Sequence, residues 1–166
     1  MTGPDARVVR ACRLLDARDY RAAIEFCSQF ISEEPASPDA YFLRAQAHKG
    51  ANEREAALVD AERAIELQPK DPAMYFLRGR WLIAWGDYAA GIEDLVSVVA
   101  LESASGSARH LGVAKMMMAV ASYLLRDFAS SLASIEGLDD DLVVYVDRRR
   151  WTPPSLRAEI AKQRSR

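Results

Sequence analysis

The 166-residue chain holds two cysteines, two histidines and no uninterrupted apolar run of 18 residues. Each shortage removes a class of function. Cys12 and Cys27 lack metal-ligand spacing, and unpaired thiols are the usual state in a reducing compartment. His48 and His110 stand apart from any coordinating neighbour, so metal-assisted chemistry has no visible parts. Neither a glycine-rich phosphate loop nor a nucleophile elbow is present. Residues 1–7 carry no apolar stretch of the kind that targets a secreted protein. These absences lead us to expect a soluble, cytoplasmic protein that is not an enzyme and needs no cofactor or metal.

Charge of one sign is scarce overall but not locally. The net charge of −2 gives no general pull toward nucleic acid or an anionic membrane. From position 148 onward, however, Arg148, Arg149, Arg150, Arg157, Lys162, Arg164 and Arg166 face a single acid, Glu159. That segment is +6, which leaves −8 on the rest, so tail and body can attract each other. Aromatics interleaved with the Arg148–Arg150 cluster are missing beyond Trp151, which argues against RNA and for an acidic protein surface, its own or another's.

What the chain does contain is a repeat. Tyr41-Phe42-Leu43-Arg44 returns as Tyr75-Phe76-Leu77-Arg78, 34 residues on, and the same step relates Pro35 to Pro69, Pro38 to Pro72 and Asp60 to Asp94. Small residues recur at Ala11, Ala45 and Gly79, then at Ala23, Ala57 and Gly91. Large apolar residues alternate around them at helical spacing: Ile24, Leu58 and Ile92, then Ile31, Ile65 and Val99. Such a period means a supersecondary unit that buries its apolar face by stacking on copies of itself.

These residues resemble the tetratricopeptide repeat, a pair of antiparallel helices with two small positions and a closing proline. The resemblance implies an all-α, right-handed helical-hairpin solenoid of three units, at about 4–37, 38–71 and 72–105. A divergent fourth hairpin at about 108–138 has its register shifted by six, so that Gly79, Asp87 and Gly91 correspond to Ala119, Asp127 and Ser131. Residues 139–166 then form an extension ending in a capping helix, in the same domain as 1–138.

Local signals place the boundaries. Ser37-Pro38 and Asp71-Pro72 each offer a capping side chain and a proline at the first helical position. Second helices are expected to open at Asp19, Asn52 and Asp87, with Asn52 and Glu55 as a loose capping box. Ser103 stands where the first two units have proline, and residues 103–107 read as a flexible connection. The segment 142–146 is too short to assign. Thr152-Pro153 starts a last helix reaching about Arg164, with Leu156 and Ile160 on one face.

Arg44 and Arg78 sit in first helices where the family often has leucine, and Asp60 and Asp94 share a second-helix position. Intra-repeat pairs Arg44–Asp60 and Arg78–Asp94 are therefore expected, because a half-buried guanidinium needs a carboxylate. Repeat one has Phe26 at the aspartate position, so Arg10 needs another partner or solvent.

The resemblance also implies a groove lined by first-helix residues. One row is Val8, Phe42, Phe76 and Met116; a second is Cys12, Gln46, Arg80 and Val120; a third is Leu15, Lys49, Ile83 and Tyr123. An apolar stripe of this kind usually marks a binding surface. The expected partner is a protein or peptide with an apolar or amphipathic segment, which makes the chain a non-catalytic interaction module. A dedicated bacterial chaperone or immunity-type protein and a homo-oligomer built through groove or tail are the alternatives. Coverage by Trp151 and the chain's own last helix is the competing account of the stripe. The lysine and asparagine clamp with which some family members grip chaperone tails is absent: at the corresponding Val8, Cys12, Leu43, Phe76 and Arg80, the arginine alone matches.

Overall fold

The computed structural model describes residues 5–165. Among them are the helices α1 (Ala6–Asp16), α2 (Tyr20–Glu33), α3 (Pro38–Gly50), α4 (Arg54–Leu67), α5 (Pro72–Ala84), α6 (Tyr88–Ser105), α7 (Leu111–Leu124), α8 (Phe128–Ser134) and α9 (Pro153–Arg164). Two short strands, β1 (Val144–Val146) and β2 (Arg149–Trp151), separate α8 from α9. The contacts gather into two compact units, one up to Met74 and one from Tyr75 onward, the division falling inside α5.

In the first unit, α2 packs on α1 and α3, and α4 packs on α3. Helix starts obey side-chain chemistry: Asp5, Asp19 and Ser37 accept hydrogen bonds from the backbone N–H of Arg7, Ala22 and Ala40. The small positions Ala11, Ala23, Ala45 and Ala57 are wholly buried, which lets paired helices approach closely.

Each hairpin turns through a single left-handed residue: Arg18, Asn52, Gly86 and Arg126, with φ of 57°, 64°, 84° and 64°. The first three keep the 34-residue step, the fourth carries the shift of six, and the residue after each serves as the N-cap. Asn52 is thus the turn residue rather than the opening cap expected of it. Its short polar side chain tolerates the left-handed region, and α4 begins one residue later, behind Glu53.

The second unit holds two hairpins, the ribbon and the last helix. A Cβ added to Gly91 would lie 2.6 Å from Cγ1 of Ile83 and 3.0 Å from the carbonyl oxygen of Gly79. Glycine is required there by proximity. In the next hairpin the corresponding pair is Ala119 and Ser131, and the buried Ser131 hydroxyl donates to the Ala119 carbonyl at 2.8 Å.

α6 runs to Ser105 and ends at Gly106 in the left-handed conformation, so residues 103–105 are helical and not the flexible link anticipated. The reason is local: without the proline of the earlier repeats at position 103, nothing removes the next helical hydrogen bond. The extra turn carries Glu102, fully buried, whose carboxylate accepts from the His110 backbone N–H at 3.0 Å and meets His110 Nδ1 at 2.7 Å. The entry into α7 is tied down by that carboxylate.

β1 and β2 pair antiparallel, with Val144 opposite Trp151, Tyr145 opposite Arg150 and Val146 opposite Arg149. Asp147 and Arg148 join them with φ of 51° and 62°, which suits a tight two-residue hairpin turn. Thr152 and Ser155 exchange the two hydrogen bonds of a capping box at the start of α9. Met116, Val120, Ile135, Val144, Trp151, Leu156 and Ile160 share one buried core.

Candidate protein-binding face

Two ion pairs stiffen the hairpins from inside. Arg44 reaches Asp60 through Nε and Nη2, both at 2.7 Å, and its Nη1 donates to Ser28 Oγ at 3.1 Å. Arg78 meets Asp94 the same way, at 2.8 and 2.7 Å. Both carboxylates are nearly buried, and a two-pronged guanidinium replaces the water each has lost. The hydrogen bonds it donates to Asp60 hold the Arg44 guanidinium above its ordinary range. Where repeat one lacks the aspartate, Arg10 lies over the Phe26 ring, 4.7 Å from its centroid. A cation–π contact thus stands in for the ion pair.

The residues expected to line the groove fall into two groups. In the first unit, Val8, Phe42 and Gln46 are half-buried, and Cys12 and Lys49 are exposed. Val8 and Leu15 pack against the small core of Ala11, Cys27 and Leu43. Burial pushes the Cys27 thiol up to about 11, so it stays protonated at neutral pH. Cys12 and Cys27 are both free thiols.

In the second unit most of the corresponding side chains are covered, which corrects the expected open stripe. Phe76 is 8% exposed, its ring centroid 4.5 Å from that of His110, and the exposed Arg80 places its guanidinium 5.5 Å from the same ring. Ile83 turns toward Gly91 of α6, into its own hairpin, and so leaves the row it was assigned to. Met116 has no exposure at all. Tyr123 is half-buried, with Trp151 at 5.3 Å and Phe128 at 5.9 Å between ring centroids. α7 packs against both β1 and α9. The chain's own extension therefore occupies the α7 face that would have faced a guest. Sequence periodicity could not show this cover, because the ribbon belongs to no repeat.

Among the described residues no group of three histidine, cysteine, aspartate or glutamate side chains could hold a metal ion. None of the described helices is long and apolar enough to cross a membrane.

The model of the tetratricopeptide repeat matches residues 38–71. Solved structures of the same fold span more of the chain. MamA from Desulfovibrio magneticus RS-1 is 13% identical, covering 99% of this chain and 78% of its own, with a TM-score of 0.66. The type IV pilus biogenesis factor PilW is 15% identical over 78% of this chain and 58% of its own, with a TM-score of 0.67. The TPR2B domain of yeast Sti1, solved as a complex with pHsp70, is 20% identical over 71% of this chain and 98% of its own, with a TM-score of 0.65. At such identities the likeness is one of fold. A comparison with curated proteins finds no match. Helical hairpins at a 34-residue step, small residues at the crossings and the matched repeat define a class. The chain carries a tetratricopeptide repeat at residues 38–71 and shares the fold of these tetratricopeptide-repeat structures.

Proposed function

We propose that this protein is a non-catalytic interaction module that holds an apolar or amphipathic segment of a partner polypeptide on the α1–α3 face. The observation that carries the reading is the incomplete burial of Val8 and Phe42 beside exposed Cys12 and Lys49. A half-buried phenylalanine that a guest could cover is worth a part of the ~1.5–3 kcal/mol of full burial. Gln46 and Lys49 supply polar direction at the edge of the apolar strip. The shared fold of the Sti1 domain, solved with a partner, supports the class of work without naming this chain's own guest. Two unbridged thiols suit the cytoplasm, where we place the protein.

A photo-crosslinking amino acid at position 12 or 46, compared with one at exposed Val59 on α4, tests this in lysate of the native host. The expected outcome is one recurring adduct from positions 12 and 46, absent at 59 and weakened by Phe42→Ala. Equal adducts at all three positions, or none, would refute it.

A further inference from the structure

The β-ribbon presents a face that neither the fold nor the α1–α3 surface accounts for. Its inward side chains, Val144, Val146 and Trp151, are 5%, 3% and 2% exposed, and they anchor it to the core. The opposite face carries Tyr145, which is 69% exposed, with Arg150 directly across from it. At the tip, Asp147 accepts a hydrogen bond from the Tyr88 hydroxyl at 2.6 Å, which fixes the turn next to Arg148. A large apolar ring is thus held in water on a rigid mount rather than on a loose loop.

The local charges divide unevenly. Arg149 is engaged with Glu159 at 3.2 Å, and its guanidinium lies 4.0 Å from the Trp151 ring centroid. Asp140 takes Arg157 at 3.1 Å. Among the described residues, Arg148 and Arg150 are exposed and have no carboxylate within ion-pair distance.

We propose that the solvent face of the ribbon, built by Tyr145, Arg148 and Arg150, is a second docking surface for an acidic, extended segment of a partner polypeptide. Charge complementarity selects the occupant. Two uncommitted guanidinium forks donate to carboxylates in two-pronged fashion, and the exposed Tyr145 ring, on the residue opposite Arg150, supplies apolar contact. Tyrosine and arginine dominate interface energetics for this reason, and a preset mount lowers the ordering cost of binding. Nucleic acid fits less well, because Tyr145 is a single exposed ring with Trp151 turned inward, whereas successive bases need several stacking platforms. This surface uses none of the residues of the α1–α3 face, so failure of either leaves the other intact.

Fluorescence anisotropy of a labelled octaglutamate peptide against the full chain at low salt is the test. Arg148→Glu with Arg150→Glu should weaken binding by about tenfold or more, and Tyr145→Ala by about threefold. Arg148→Gln with Arg150→Gln should fall between, with helicity by circular dichroism unchanged in all. A control of equal charge change, Arg13→Glu with Lys70→Glu, should stay within about twofold. The proposal is overturned if wild-type protein does not bind the peptide, or if the control loses as much as the ribbon variant. Tighter binding of a labelled oligouridine through the same arginines would also overturn it.

Discussion

The first unit, up to Met74, and the second, from Tyr75, start from the same repeat and finish differently. In the first, four helices pair off and the first-helix face stays partly open, with Cys12 and Lys49 exposed. In the second, α7 carries a ribbon and a helix that the repeat does not supply, and Met116 is sealed. A repeated hairpin guarantees a face; whether that face works outward depends on the segment next in the chain. The same step also tolerates different chemistry at one crossing, as the Arg44–Asp60 pair and the Arg10–Phe26 contact show.

The contrast can be broken most forcefully at the cover. Trp151→Ala removes a ring at 2% exposure and should lower stability by about 3–5 kcal/mol in urea unfolding. Phe42→Ala, on the open face, should lower it far less. If both cost the same, the two faces are equally buried and the distinction fails.

Next in size are the buried carboxylates. Asp60→Ala and Asp94→Ala each take the buried carboxylate from a guanidinium that is about one-fifth exposed, at 23% and 22%, so solvent screening trims the penalty. A loss of about 1–3 kcal/mol is expected in thermal unfolding for either. Replacing the pair Arg44 and Asp60 together with Leu and Ala should recover part of it, since no unpaired charge remains.

Gly91→Ala sharpens the comparison of crossings. Alanine is the better helix former by roughly 1 kcal/mol, yet its Cβ would collide with Ile83 and the Gly79 carbonyl. The net effect should be a destabilisation of about 1–2 kcal/mol by chemical denaturation. Alanine already fills the same place at Ala57 in the first unit, so Ala57→Gly should also destabilise.

The smallest effect concerns the thiols. At neutral pH a disulfide reagent should titrate Cys12 in the native protein and Cys27 only after unfolding. Burial favours the protonated Cys27, whose folded value of about 11 lies above the ordinary 9.0. Its stabilising contribution is therefore complete below pH 9.0 and is lost as pH rises through about 11. A stability profile that rises across that window would contradict the assignment.

Much of the fold was legible because helical hairpins impose strict spacing. Prolines, small residues and capping aspartates must recur where helices start, cross and stop. Asn52 misled because asparagine serves both as a cap and as a left-handed turn residue, and only the paired geometry separates the two. α6 outran its expected end because the absence of a proline is a weaker signal than its presence. The ribbon was illegible: three-residue strands are too short for alternation to declare itself, although Asp147-Arg148 carries the turn. For the candidate site, register located the first-helix face, but burial of Met116 depends on residues 28 to 44 positions later, Val144 to Ile160. Ile83 was misassigned because a step of a single residue turns a helix by about 100°, enough to separate a groove-facing position from an inward one.

Hydroxyl-radical footprinting read by mass spectrometry tests the central claim directly, since it compares both faces in one sample. The account predicts rapid oxidation of Cys12 and measurable modification of Phe42, with Met116 and Phe76 protected until the chain unfolds. Oxidation of Met116 as fast as Cys12 in the folded protein would contradict it.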